Sequence, residues 1–146
     1  MVGTVTFILG LCGSGKSELI RQLDADRKFD EGFAWNRHGE HEDLVAALQS
    51  GGHCAVIEVA YCVPGPREEF LEKITRAVPG LRVRWICFEN DLAQANRNCV
   101  DRNDGRDLKM LFAQNQFLSP AYTYPPGAEI RPVWRPEPIA GTQSTP

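Results

Sequence analysis

Apolar residues along this chain come in two alternating arrangements: short unbroken runs, and stripes spaced three and four positions apart. Thr4 to Leu9 is a short run rich in β-branched residues that ends at Gly10, and it reads as a buried strand. Leu19, Ile20 and Leu23 then recur at helical spacing within Gly15 to Leu23. Asp24 to Gly32 is polar and reads as a loop, with Phe33-Ala34-Trp35 as a candidate second strand. Leu44, Val45 and Leu48 share one face of a helix over 42–49 that Gly51-Gly52 stops. Ala55-Val56-Ile57 and Val59 mark a third strand within His53 to Ala60.

Pro64-Gly65-Pro66 predicts a turn, with Pro66 suited to the first position of a new helix. Phe70, Leu71, Ile74 and Val78 form that helix's apolar stripe, and Pro79-Gly80 ends it. Arg82 to Glu89 is a fourth strand, carried by Val83, Trp85, Ile86 and Phe88. Asp91 is an N-cap residue for a helix to about Asp101, and Asn103-Asp104-Gly105 is a turn. Asp107 to Leu118 predicts a last helix with Leu108, Leu111, Phe112 and Leu118 facing inward, and Glu129 to Trp134 a fifth strand. Strands alternating with helices predict an α/β fold: a parallel sheet of about five strands between two helical layers. The alternation fills residues 1–134 as one domain. Residues 135–146, rich in proline and small polar residues, predict a loose tail.

Charge and cysteine content narrow the function classes. The formal net charge is −3, so a sequence-independent grip on nucleic acid would need a local basic patch. The five cysteines Cys12, Cys54, Cys62, Cys87 and Cys99 include no Cys-x-x-Cys pair, which predicts reduced buried thiols. No run is long enough to span a membrane, and the first residues lack the basic flank of a cleaved signal, so a cytoplasmic protein is expected.

The chemistry concentrates in Gly10-Leu11-Cys12-Gly13-Ser14-Gly15-Lys16-Ser17, a full match to the phosphate-binding pattern G-x-x-x-x-G-K-[ST] between a strand and a helix. Such a loop wraps a polyanion in backbone amides, so side chains must stay out and glycine supplies the dihedrals. The following helix adds the positive end of its dipole. The set Gly10, Cys12, Gly13, Ser14, Gly15, Lys16 and Ser17 is therefore the expected nucleotide-phosphate site, with Lys16 on the β- and γ-phosphates and Ser17 on Mg²⁺. Cys12 occupies a free position of the motif.

On these residues the chain resembles the P-loop kinase superfamily, in particular its compact branch of polynucleotide-kinase-like, zeta-toxin-like and small-metabolite kinases. The resemblance implies a strand order near 2-3-1-4-5 and use of ATP with Mg²⁺. It also implies a helical lid, here around 91–106, whose arginines close over the transferring phosphate. Arg97, Arg102 and Arg106 are the candidates, Arg97 and Arg102 for catalysis and Arg106 for nucleotide binding; a solvated helix face, with Arg97 paired to Asp101, is the alternative.

Glu58 interrupts an apolar strand, and a lone buried carboxylate is costly, so it is expected to face the open site near the strand's end. By resemblance it would manage Mg²⁺ or the acceptor proton. Related kinases also place an acidic base after the second strand, where Asp30, Glu31, Glu40 and Asp43 stand. Trp35 reads as core, or with Asn36, Arg37 and His38 as an acceptor contact. The pair His38 and His41 lacks further metal ligands. By resemblance Trp134-Arg135-Pro136 is a candidate adenine neighbour, with core packing as the other reading of Trp134.

The expected activity is transfer of the γ-phosphoryl group of ATP to a hydroxyl. The resemblance leans toward a nucleic-acid acceptor, a 5′-hydroxyl or hydroxymethylated base of DNA; a nucleoside or other small metabolite is the alternative, and a non-catalytic nucleotide-binding module or NTPase switch is a third. A GTPase would carry Asn-Lys-x-Asp and Asp-x-x-Gly signatures, and the chain has neither.

Overall fold

The computed structural model describes residues 2–136. β1 (Thr4–Leu9) is the central strand of the sheet. It pairs in parallel with β3 (His53–Ile57) on one side and β4 (Arg82–Phe88) on the other. β2 (Arg27–Phe29) extends the sheet beyond β3, and β5 (Glu129–Arg131) extends it beyond β4. The order β2-β3-β1-β4-β5, all parallel, is the one the resemblance implied.

Alternation along the strands sorts two cores. Val5, Phe7 and Leu9 face one layer with Cys54, Val56 and Cys87. α2 (Glu40–Gln49) and α3 (Pro64–Ala77) pack there through Leu44, Leu48, Phe70 and Ile74. Ile8, Ala55, Ile57, Ile86 and Phe88 face the other layer, where α1 (Lys16–Gln22) contributes Leu19 and Ile20. Strands covered on both faces must be apolar on both, which is why the central runs show no polar alternation. α4 (Leu92–Arg102) and α5 (Leu108–Leu118) pack against each other and over the carboxyl edge of the sheet.

Local signals place most boundaries. The Asp91 and Asp107 side chains accept from the Gln94 and Met110 amides and so cap α4 and α5. Gly51, at φ 87°, ends α2 by returning its amide to Leu48 O. α3 begins two residues earlier than the proline pattern indicates, with Pro64 rather than Pro66 at its first position.

The second strand is a correction. Phe33–Trp35 is a 3-10 turn, and the strand lies in the polar stretch before it, at Arg27–Phe29. β2 is an edge strand of three residues with only Phe29 buried, so it carries almost no apolar signature. Phe33 is buried against Phe29, His41 and Phe70, whereas Trp35 is 71% exposed and not core. The five cysteines are free thiols. Residues 137–146 of the expected loose tail lie outside the described residues. Its first residue, Arg135, is anchored by Asp91 Oδ2 at 3.0 Å and Gln94 Oε1 at 2.9 Å. No helix among the described residues is long and apolar enough to cross a membrane.

Candidate functional site

Every element of the candidate site leaves the carboxyl edge of the parallel sheet, where open α/β sheets hold their ligands. β1 runs into the loop 10–15, and α1 begins at Lys16. Gly13 (φ 91°) and Gly15 (φ 115°) adopt left-handed dihedrals. A Cβ on Gly13 would come within 2.3 Å of Ala95 O, and one on Gly10 within 2.4 Å of Ser14 Oγ. Ser14 is buried and its hydroxyl has no partner among the described residues. Ser17 is exposed at the head of α1.

Lys16 is 6% exposed and its ammonium is held inside the loop it serves. It donates to Gly10 O at 2.5 Å and Leu11 O at 3.1 Å, and lies 3.3 Å from Glu31 Oε1. The other Glu31 oxygen accepts the Val59 amide at 3.1 Å. The segment after β2 thereby meets the phosphate loop and the end of β3 at one carboxylate. Of the four acidic residues standing near that segment, Glu31 is the one in contact with Lys16.

Glu58 is buried at the end of β3, and its two oxygens accept from Ala34 N at 2.7 Å and Ala60 N at 3.0 Å. Burial raises its pKa, and those two amides partly offset the rise. The carboxylate thus bridges the 3-10 turn at 33–35 to a second one at Val59–Cys62.

The loop is braced from α4 and α5 by two asparagines that the sequence reading did not single out. Asn115, fully buried, accepts from Cys12 N at 2.8 Å and donates to Cys12 O at 3.0 Å. Asn98 donates to Gly13 O at 2.9 Å and Trp134 O at 2.6 Å. A signal existed: both stand on the buried stripes of their helices, Ala95-Asn98-Cys99 and Leu111-Asn115-Leu118. A polar residue on such a stripe needs a partner. The Cys12 thiol is bonded to Gln114 Oε1 at 3.0 Å, and burial raises its pKa, partly offset by Lys16.

A cavity of about 1130 Å³ opens on the other side of the loop. Gly13, Gly15, Ser17, Phe88, Arg102 and Trp134 are among its lining residues. Trp134 is half exposed on this wall, not core. The candidate lid arginines separate. Arg102 lines the cavity and lies 3.8 Å from Asp104, and Arg106 bonds Asp104 at 2.9 Å. Arg97 is exposed, away from the buried Ala95, Asn98 and Cys99, and makes no ion pair, to Asp101 or otherwise, among the described residues. His41 is buried, with one ring nitrogen at Phe33 O and the other at Lys73. No cluster of three or more His, Cys, Asp or Glu able to hold a metal exists among the described residues.

A five-stranded parallel sheet of this order, with a glycine loop feeding a buried lysine at the head of a helix, defines the P-loop kinase fold. Two solved structures share it. A gluconokinase from Sinorhizobium meliloti 1021 is 16% identical, with a TM-score of 0.52 over 92% of this chain and 84% of that one. APE1195 is 16% identical, with a TM-score of 0.55 over 88% of this chain and 84% of that one. No family model matches the chain. No curated protein matches it either.

Proposed function

We propose that the protein is an ATP-dependent kinase that moves the γ-phosphoryl group to a hydroxyl of a small molecule. The observation that carries this is the position of Lys16, seated in the glycine loop and in contact with Glu31. The ammonium sits within the loop whose Gly13 and Gly15 line a nucleotide-sized cavity, and against a carboxylate able to take a proton.

Each residue then has a task. Gly10, Gly13, Ser14 and Gly15 surround the phosphates with backbone, and Lys16 turns its donors from Gly10 O and Leu11 O to the β- and γ-oxygens. The donor set suits Mg²⁺. The Ser17 hydroxyl is a hard oxygen donor of the kind this ion takes beside water and phosphate ligands. Ser17 would hold the ion, which when bound neutralises charge on the phosphates. Glu31 accepts the acceptor's proton. Glu58 orients the backbone on either side of Glu31, a positioning role, and would meet a bound metal only through water. Arg102 and Arg106, on the lid around 91–106, close over the transferring group once they leave Asp104. Arg97 takes part only if that segment rotates.

Two observations support a small acceptor over DNA. One of the similar structures is a gluconokinase. Segment 30–42 carries Asp30, Glu31, Glu40 and Glu42 against Arg37, and Glu68 and Glu69 are exposed early in α3, a poor setting for a phosphate backbone. The test is transfer of label from γ-labelled ATP to polyols, nucleosides and DNA with 5′-hydroxyl or hydroxymethylated bases. Label on a small alcohol, lost in Lys16→Met, supports the reading. Label on DNA alone overturns the small acceptor, and ATP binding without transfer to anything overturns the kinase.

A further inference from the structure

The three most exposed large apolar side chains among the described residues are Phe117 (78%), Trp35 (71%) and Met110 (65%). Two of them belong to one helix. Met110 and Phe117 stand four residues before and three residues after Gln114 on α5, so all three share one helix face. Gln114 Oε1 meets the Cys12 thiol at 3.0 Å, which sets that face beside the phosphate loop. Trp35 follows Ala34, whose amide is bonded to Glu58, and the next residue, Val59, donates to Glu31. The apolar groups therefore stand on the two elements that flank Lys16 and Glu31, away from the cavity lined by Arg102 and Trp134.

Exposing such side chains costs solvation unless a ligand covers them. Arg37 lies 5.6 Å over the Trp35 ring, an arrangement that stiffens the indole yet leaves most of it open. A polyhydroxy acid has no surface to match. A ring-bearing alcohol does: its flat face covers indole and phenyl while its hydroxyl reaches Glu31.

Resting on the kinase reading above, we propose that the acceptor is a small alcohol carrying an aromatic or heteroaromatic ring, with Trp35, Phe117 and Met110 as its specificity-determining contacts. The surrounding carboxylates add that the ring system is uncharged or cationic, not phosphorylated.

The test pairs binding with turnover, using benzyl alcohol and uridine as ring-bearing probes and glycerol and gluconate as polyols. Calorimetry in the presence of a non-hydrolysable ATP analogue reads binding whether or not transfer occurs. The expected result is binding of the ring-bearing probes only. Trp35→Ala and Phe117→Ala should each raise their KM by about tenfold, and Trp35→Phe should restore it. Ring-bearing probes that bind without being phosphorylated would overturn the acceptor role, and transfer to none of the probes would take the kinase reading with it. Polyols binding as well as the ring-bearing probes, or KM values unmoved in both alanine variants, would overturn the inference and leave the kinase standing. So would a self-association in sedimentation that Phe117→Ala abolishes, since the patch would then be a contact between copies of the chain.

Discussion

Asn115 holds both backbone polar groups of Cys12 in the phosphate loop, accepting from Cys12 N at 2.8 Å and donating to Cys12 O at 3.0 Å. The side chain is fully buried and also reaches Asn96 Oδ1 at 2.9 Å. α5 thereby fixes the loop across 103 residues of sequence. Asn115→Leu keeps the volume and removes both bonds. It should cost about 2 kcal/mol by stranding buried polar groups, and weaken ATP binding. Urea unfolding and calorimetric titration with ATP check this; unchanged values in both would show that the brace is incidental.

Glu31→Gln retains a side chain able to meet Val59 N but cannot take a proton. Its kcat should fall about a hundredfold or more, with the Kd for ATP changed far less. A loss confined to ATP affinity would mean that Glu31 serves Lys16 and not the acceptor.

Gly13→Ala places a Cβ 2.3 Å from Ala95 O at a φ of 91°. The chain cannot relieve both without moving α4, so the variant should lose at least about 1 kcal/mol and much of its ATP affinity. Gly105→Ala is the matched control. Its φ is also positive, at 85°, but nothing lies within 4 Å, so it should show the dihedral cost alone. Equal melting curves for the two would refute the packing account.

His41 is buried between Phe33 and Phe70 and bonded to Phe33 O, with Lys73 at its other nitrogen. Desolvation holds its pKa below the ordinary 6.5. The folded state therefore binds fewer protons than the unfolded chain as pH falls below that value. The stability that neutral His41 contributes is present above pH 6.5 and is lost as pH drops toward the folded pKa. Urea midpoints at about pH 7.5 and about pH 5.5 should differ less in His41→Phe than in the parent. An unchanged difference would assign the acid sensitivity elsewhere.

Thr6 lies at the centre of β1, fully buried, with no partner for its hydroxyl among the described residues. Its neighbours on that face are Ile8, Ala55 and Ile57. Thr6→Val swaps a stranded hydroxyl for a methyl of the same shape and should stabilise the fold by about 1 kcal/mol. Thermal melts measure it; a clear loss of stability would reveal a partner for the hydroxyl.

The sequence alone determined what local physics controls. Four of the five strands, the cap at Asp91, the stop at Gly51 and the phosphate loop all follow from the chemistry of residues close together in the chain. It did not determine β2, an edge strand with one buried side chain, nor the turn at Phe33–Trp35, where packing of Phe33 against α2 and α3 outweighs strand propensity. Glu58 was expected to face the open site, but it is buried, with its two oxygens taken by the Ala34 and Ala60 amides. The choice of Glu31 from its acidic neighbours, the bracing of the loop by Asn98 and Asn115, and the sorting of Arg102 from Arg97 belong to the tertiary structure. Each depends on groups that only the folded sheet brings together, and no local rule acts over that distance.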